Sequence, residues 1–331
     1  MRAPGFWERD GALPRLLAPL GAAYGLATAR RVARDGLRLP VPVISVGNLS
    51  AGGTGKTPVA MDLLQRLAAR GIAAHGLLRG HGGRLVGPVR VDPGRHSAAE
   101  VGDEALLLSG AGPVWIARDR ADGGRAAVAA GAEGLVLDDA HQNPALAKDL
   151  SLVVVDAETG FGNRRCLPAG PLREPVDAGL ARADAVILLG PPEARAARRA
   201  EFANLPAIEG RLAPLRTGLD WTGLRVLAFA GIGRPAKFFA TLRAAGAEVV
   251  GTVPLADHQP VSPRLFRRLR AEAEALGARL VCTEKDMVRL PPAWRGEIDF
   301  LPVRVEWADP AALEALLGRA IGDGRAAPPQ R

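Results

Sequence analysis

The stretch Gly47-Asn48-Leu49-Ser50-Ala51-Gly52-Gly53-Thr54-Gly55-Lys56-Thr57-Pro58 constrains this chain more than any other. An apolar, β-branched run from Val41 to Val46 precedes it, and an amphipathic run from Val59 to Ala69 follows. Strand, glycine loop, Lys-Thr and helix form the layout of a phosphate-binding loop. Glycines let backbone N–H groups close around phosphate oxygens, and a helix N-terminus adds partial positive charge. In this layout Gly52, Gly53, Thr54, Gly55, Lys56, Thr57 and Pro58 form the nucleotide-contacting set. Lys56 reaches the β- and γ-phosphates, and the Thr57 hydroxyl ligates Mg²⁺. The general pattern G-x-x-x-x-G-K-S/T asks for glycine at position 50, where this chain has Ser50. Gly52 and Gly53 supply backbone freedom in its place. Of 43 basic residues only Lys56, Lys148, Lys237 and Lys285 are lysine. A lysine at position 56 of so arginine-rich a chain points to a need for a compact ammonium.

Composition narrows the class. The chain has 331 residues, room for two domains, and 48% hydrophobic residues, enough for a real core. Two cysteines, Cys166 and Cys282, offer neither a disulfide framework nor metal-ligand spacing, which fits a reducing cytoplasm. The net charge of +8 suits a phosphorylated substrate, an anionic membrane surface or nucleic acid. One tyrosine and no RNA-binding signature argue against nucleic acid. No segment spans a bilayer. The longest uncharged N-terminal stretch, Leu16 to Ala29, has fourteen residues including Pro19, short of the ~20 a spanning helix needs. Two readings stand for it: a helix in the membrane interface, drawn by Arg30, Arg31 and Arg34 to anionic lipid, or a helix packed on the protein body.

β-type runs alternate with helical patterns. Strands are expected at Val41–Val46, Ala73–Leu78, Val114–Ala117, Gly134–Leu137, Leu152–Val155 and Ala185–Leu189. Continuous apolar strands with helical crossovers imply a parallel sheet covered on both faces. Gly218 to Gly223 is a polar break. Beyond it, strands at Val226–Ala230, Glu248–Val253, Arg279–Thr283 and Ile298–Val303 alternate with helices at Pro235–Ala245 and Pro263–Leu276. The expected fold is α/β: a P-loop NTPase-like parallel sheet with helices on both faces, a smaller C-terminal α/β lobe and an N-terminal helix. The expected division is 1–36, 37–217 and 218–331, with a fraying tail from Gly322.

A phosphate-binding loop needs a partner acid at a neighbouring strand end. Asp138-Asp139 after Gly134–Leu137 is preferred to Asp156 after Leu152–Val155, because paired carboxylates offer a hard cation more charge. Asp156 reads as a strand-end turn residue. Asp103-Glu104, after Gly102, reads by itself as a helix N-terminus. His258 sits in a second-lobe loop where an imidazole can face an interdomain cleft.

With these residues the chain resembles the tetraacyldisaccharide 4'-kinase family, the lipid A 4'-kinases. The anchors are Pro42–Pro58, Arg79–Gly83 (with His81 where Tyr is common), Gly102-Asp103-Glu104, Asp138-Asp139, Leu167–Glu174, Ala230–Gly233, Asp257-His258 and Thr283-Glu284-Lys285-Asp286. The family's loop also lacks the first glycine. The resemblance implies a membrane-associated enzyme, peripheral on the cytoplasmic face of the inner membrane, using ATP and Mg²⁺. It would move the γ-phosphate to the 4'-hydroxyl of a tetraacylated disaccharide 1-phosphate, giving lipid IVA. It also implies roles. Asp103 would be the base, or would orient the hydroxyl, paired with His258. Glu104, Asp138 and Asp139 would join Thr57 around Mg²⁺. Asn48, Arg120, Gln142, Asn143 and Arg173 would contact substrate. The chain departs from the family's Asp-Asp-Gly-x-Gln-His at Ala140 and Asn143, which places the substrate contact at 143 in question. The alternative from another class is a membrane-associated P-loop switch ATPase or GTPase. Its base-recognition Asn-Lys-x-Asp has only Thr283–Asp286 as a near match, without the Asn.

Overall fold

The computed structural model describes residues 4–322; the expected fraying tail lies almost wholly outside them. Among the described residues thirteen strands form two sheets: β1 Val43–Gly47, β2 Ala74–Leu78, β3 Val89–Arg90, β4 Val114–Ile116, β5 Gly134–Asp138, β6 Leu150–Asp156, β7 Ala185–Leu189, β8 Ala207–Pro214, β9 Arg225–Ala230, β10 Glu248–Pro254, β11 Arg279–Thr283, β12 Asp299–Leu301 and β13 Val303–Trp307. The larger sheet runs β13-β8-β7-β6-β1-β5-β2-β4-β3 and the smaller β10-β9-β11-β12. Every large-sheet pairing is parallel except those of the edge strands β3 and β13. β1 lies between β5 and β6, so the loop leaving it opens where the strand order reverses, the usual ligand crevice of such sheets.

The inner strands are apolar because helices cover both faces. On one face Ile44, Val46, Val136, Leu152 and Val154 pack with Val59, Leu63, Leu64 and Leu67 of helix α2, Lys56–Ala69. On the other, Val43, Leu135 and Leu137 meet Leu39, Ala127 and Leu146. The smaller sheet has its own cores, one around Leu227, Phe229, Phe266 and Leu269.

The second-lobe expectation is corrected at its end. The expected strand Ile298–Val303 divides at Pro302: β12 closes the small sheet, whereas β13 returns to pair antiparallel with β8. The final helix, Pro310–Ile321, then buries Leu313, Leu316 and Leu317 in the core of the large sheet. Pro302 lacks the N–H a continuous ladder needs. β8, Ala-Ile-Glu-Gly-Arg-Leu-Ala-Pro, has no apolar run and is visible only through its partners.

The N-terminal segment forms helix α1, Ala12–Val32. Pro14, Gly21, Gly25 and Thr28 are buried. A Cβ on Gly21 would come 2.7 Å from the Cys166 carbonyl oxygen, so glycine there permits the close approach. The opposite side exposes Leu13, Leu16, Leu20, Tyr24 and Leu26. Among the described residues, no helix is long and apolar enough to cross a membrane.

Candidate active site

The phosphate loop is built as its glycines require. Gly52 has φ +129° and Gly55 φ +92°, values L-residues rarely adopt, and Gly55 caps α2. Ser50 stands in no left-handed position. The loop is braced by the 171–173 segment: Ala51 N donates to Pro171 O and Arg173 N to Leu49 O, both at 2.7 Å. Asn48 is turned into this brace. Its Nδ2 donates to Thr54 Oγ1 at 3.2 Å and Gly52 O at 3.4 Å, and its side chain is fully buried. Asn48 thus braces the loop through Nδ2, while its buried Oδ1 has no hydrogen-bond partner.

Lys56 Nζ lies 3.5 Å from Asp139 Oδ1, and Arg173 Nη1 donates to the same oxygen at 2.7 Å. Burial disfavours the Asp139 charge, but Lys56, Arg173 and Arg120 outweigh it and hold the carboxyl down at about 2. Asp138 is the opposite case. Burial, with the nearby Glu104 and Asp139 charges, pushes it up to about 7 against Lys56 and the Thr57 hydrogen bond. Thr57 Oγ1 donates to Asp138 Oδ2 at 2.8 Å, while the buried Asp138 Oδ1 has no partner. An orphaned carboxylate oxygen beside a threonine hydroxyl fits a hard cation. Among the described residues no three His, Cys, Asp or Glu side chains cluster tightly enough to hold a metal alone. Mg²⁺ commonly takes one or two carboxylates and completes its shell with phosphates and water. The expected four-residue metal set thus divides: Thr57 and Asp138 meet, Asp139 faces Lys56 and Arg173, and Glu104 Oε1 sits 3.2 Å from Lys285 Nζ.

Asp103 and His258 meet, His258 Nδ1 lying 3.2 Å from Asp103 Oδ2. Gly102 (φ +88°) makes the turn that starts the helix Asp103–Leu108, and a Cβ there would strike the His81 carbonyl at 2.5 Å. His258 has φ +59° in the loop after β10, held by its N–H to Gly231 O at 3.0 Å. Asp103 is buried, which disfavours its charge, but His258, Lys285 and Arg289 more than offset this and take its carboxyl far below the usual range. Arg289 escaped the sequence reading. The only signal for it is its spacing three residues after Asp286, to which it pairs at 3.0 Å.

Beside these groups opens a cavity of about 490 Å³, whose wall includes Glu104, Asp138, Asp139, Arg120, Asn143 and Arg173. Tyr24 and Arg31 of α1 line it as well. Arg120 is buried, donates to the Asp138 and Asp139 carbonyls, and leaves Nε unpartnered. Gln142 reaches the wall but commits Nε2 to Asn48 O and Glu174 Oε1, each at 2.8 Å. Asn143 lines the cavity with Oδ1 tied to Ala145 N at 3.0 Å. His141 does not take its place: the ring is buried between Ser151 Oγ and the Gly179 carbonyl. Ala140 costs no backbone freedom, because the left-handed residue here is Asp139, φ +53°. Glu174, quoted in the sequence only as part of a motif, is buried and pins Gln142 to Arg182. Asp156 is more than a turn residue. It caps Glu158 N at 3.0 Å and pairs with Arg234 and Lys237 of the small lobe.

A phosphate loop at a strand-order reversal, an acid–imidazole pair from the two sheets and an arginine-lined cavity beside Asp138 and Asp139 define a P-loop phosphotransferase. The chain matches the family described as tetraacyldisaccharide-1-P 4'-kinase over residues 13–322 and belongs to it. It is 60% identical over 326 residues to the tetraacyldisaccharide 4'-kinase of Dinoroseobacter shibae, covering 96% of this chain and 97% of that one. The Jannaschia sp. protein of the same name is 54% identical over 328 residues, covering 97% and 100%. The fold is similar to the "apo" form LpxK of Aquifex aeolicus in complex with ATP. The TM-score is 0.73 at 26% identity, covering 94% of this chain and 100% of that one.

Proposed function

We propose that this protein is an ATP-dependent kinase acting on the 4'-hydroxyl of tetraacyldisaccharide 1-phosphate, with lipid IVA as product. The observation that carries it is the Asp103–His258 contact of 3.2 Å, made between the two sheets' loops beside Gly102 and Glu104, which line the same cavity as Asp138. A switch ATPase or GTPase has no use for such a pair. The Thr283–Asp286 string, the nearest match to a base-recognition motif, instead packs Lys285 against Glu104 and Asp286 against Gly231 N.

In this reading Lys56 and the loop N–H groups hold the β- and γ-phosphates. Thr57 and Asp138 would hold Mg²⁺, which would supply positive charge to the phosphates. Arg120, Arg173 and Asn143 contact the substrate from the cavity wall. The 4'-oxygen bonds to the γ-phosphorus as the β–γ bridge breaks, ADP leaves, and the hydroxyl proton passes to the Asp103–His258 pair. Purified protein with ATP, Mg²⁺ and the lipid is expected to yield the 4'-phosphorylated product. ATP hydrolysis without lipid phosphorylation would overturn the reading.

The exposed leucines of α1 suit an anionic membrane surface, with Tyr24 and Arg31 leading from it to the cavity. Leu16 is 77% exposed and Leu20 59%, so Leu16→Glu with Leu20→Glu is expected to spare folding. The pair should lower binding to anionic vesicles by about tenfold or more, since each buried leucine contributes ~1.5–3 kcal/mol. Unchanged flotation with such vesicles would leave α1 a packing helix only.

A further inference from the structure

The small lobe contributes one more group to the reacting pair. Arg289 follows the short helix Glu284–Met287, and its guanidinium is held on both edges. On one edge Nε donates to Asp103 Oδ2 at 2.7 Å, and Nη2 reaches the same oxygen. On the other, Nη1 donates to Gly231 O at 2.9 Å and to Asp286 Oδ1 at 3.0 Å. Asp286 is itself fixed: it is buried, accepts Gly231 N with both oxygens, and accepts the Thr283 hydroxyl at 2.6 Å. Nη2 also lies 3.1 Å from His258 Nδ1. A planar fork held at both edges loses little further freedom when it orients a carboxylate.

We propose that Arg289 is a positioning residue for phosphoryl transfer. Strung from Asp286 to Asp103, it sets the carboxylate of the large lobe against the imidazole of the small one. Asp103 Oδ1 is meanwhile held by the Glu104 N–H at 2.9 Å, so both carboxylate oxygens are fixed and the rotamer is locked. His258 Nδ1 lies within reach of both Asp103 Oδ2, at 3.2 Å, and Arg289 Nη2, so the ring is placed by the same carboxylate–guanidinium unit. Each lobe supplies half of the pair, and Arg289 is the crosspiece that makes the halves register. A misplacement of about 1 Å in such a pair costs on the order of 10²-fold in rate.

The inference rests on the reading of Asp103 and His258 as the groups that handle the substrate hydroxyl. The test uses the full chain with ATP, Mg²⁺ and the lipid substrate in mixed micelles. Arg289→Met is expected to lower kcat by about 30-fold or more while the KM for ATP stays within about twofold, since misalignment acts on turnover and not on the phosphate loop. Arg289→Lys, which keeps the charge but loses the fork, should recover part of the loss. In an Asp103→Asn background, Arg289→Met should cost less than about threefold more, because the group it positions is already gone. Wild-type turnover with Arg289→Met within twofold of it overturns the inference. So does a full, additive loss in the Asp103→Asn background, or a loss accompanied by a collapsed thermal transition in both Arg289 variants. Absence of lipid phosphorylation by the wild type overturns the functional reading instead.

Discussion

Asp103→Asn is expected to lower kcat by about three orders of magnitude, within the range of 10²–10⁴ for a positioned acid–base group, and to leave ATP affinity within a few-fold. The substitution keeps shape and the acceptor for Glu104 N–H, and removes both the charge and the acceptor oxygen that face His258, Lys285 and Arg289. Those partners are what make the role specific. They hold Asp103 ionised far below the ordinary carboxylate range, against the burial that would raise it. A carboxylate so stabilised is a weak proton acceptor. It is suited to orienting and polarising the hydroxyl, while His258, 44% exposed at its side chain, can pass a proton onward. Phosphoryl transfer tolerates this, because positioning and charge dominate a loose transition state. Single-turnover transfer with isothermal nucleotide titration separates the terms. A large loss of ATP affinity would move Asp103 to the nucleotide side.

Much of the site was legible because local rules determine it. The strand–glycine–Lys-Thr–helix order could be read directly, and Gly52 and Gly55 hold the positive φ values that such a loop needs. The carboxylates at 138 and 139 follow from an apolar strand ending in acid. What the pattern could not separate is the opposite direction in which their surroundings push them, Asp138 up by burial and Asp139 down by Lys56 and Arg173. That depends on which carboxylate faces Arg173 and which is sealed against Thr57, a matter of one reversed φ at Asp139. The bracing role of Asn48 was hidden for a related reason: a polar residue in a phosphate loop can face inward to brace it or outward to substrate, and sequence does not show which. Arg289 and the β8–β13 pair were out of reach because both arise from contacts across long separations. The Arg289–Asp103 bond spans 186 positions, and β13 looks like the tail of the small lobe until Pro302 is seen to divert the chain.

Lys56→Ala should show the complementary kinetic pattern. The Lys56 side chain is 12% exposed and spans from α2 to Asp139. Removing it leaves Asp139 with Arg173 at 2.7 Å, so the fold of the free protein has a remaining counter-charge and is expected to persist. The phosphates lose theirs. The ammonium acts on the ground-state triphosphate and more strongly on the charge that develops between its last two phosphates, so both constants should move. The KM for ATP should rise and kcat fall, the latter by about 10²–10³, the scale of one well-placed transition-state donor. Lys56→Arg is the sharper test. The guanidinium is planar and wider, and the loop beneath is close-packed: even a Cβ on Gly55 would come 2.7 Å from Leu189 Cδ1. Arginine is therefore expected to restore charge without restoring rate, with kcat remaining at least about tenfold low. Full activity in Lys56→Arg would mean that charge alone matters at this position. It would also remove the reason for a lysine there in a chain that otherwise uses arginine almost throughout.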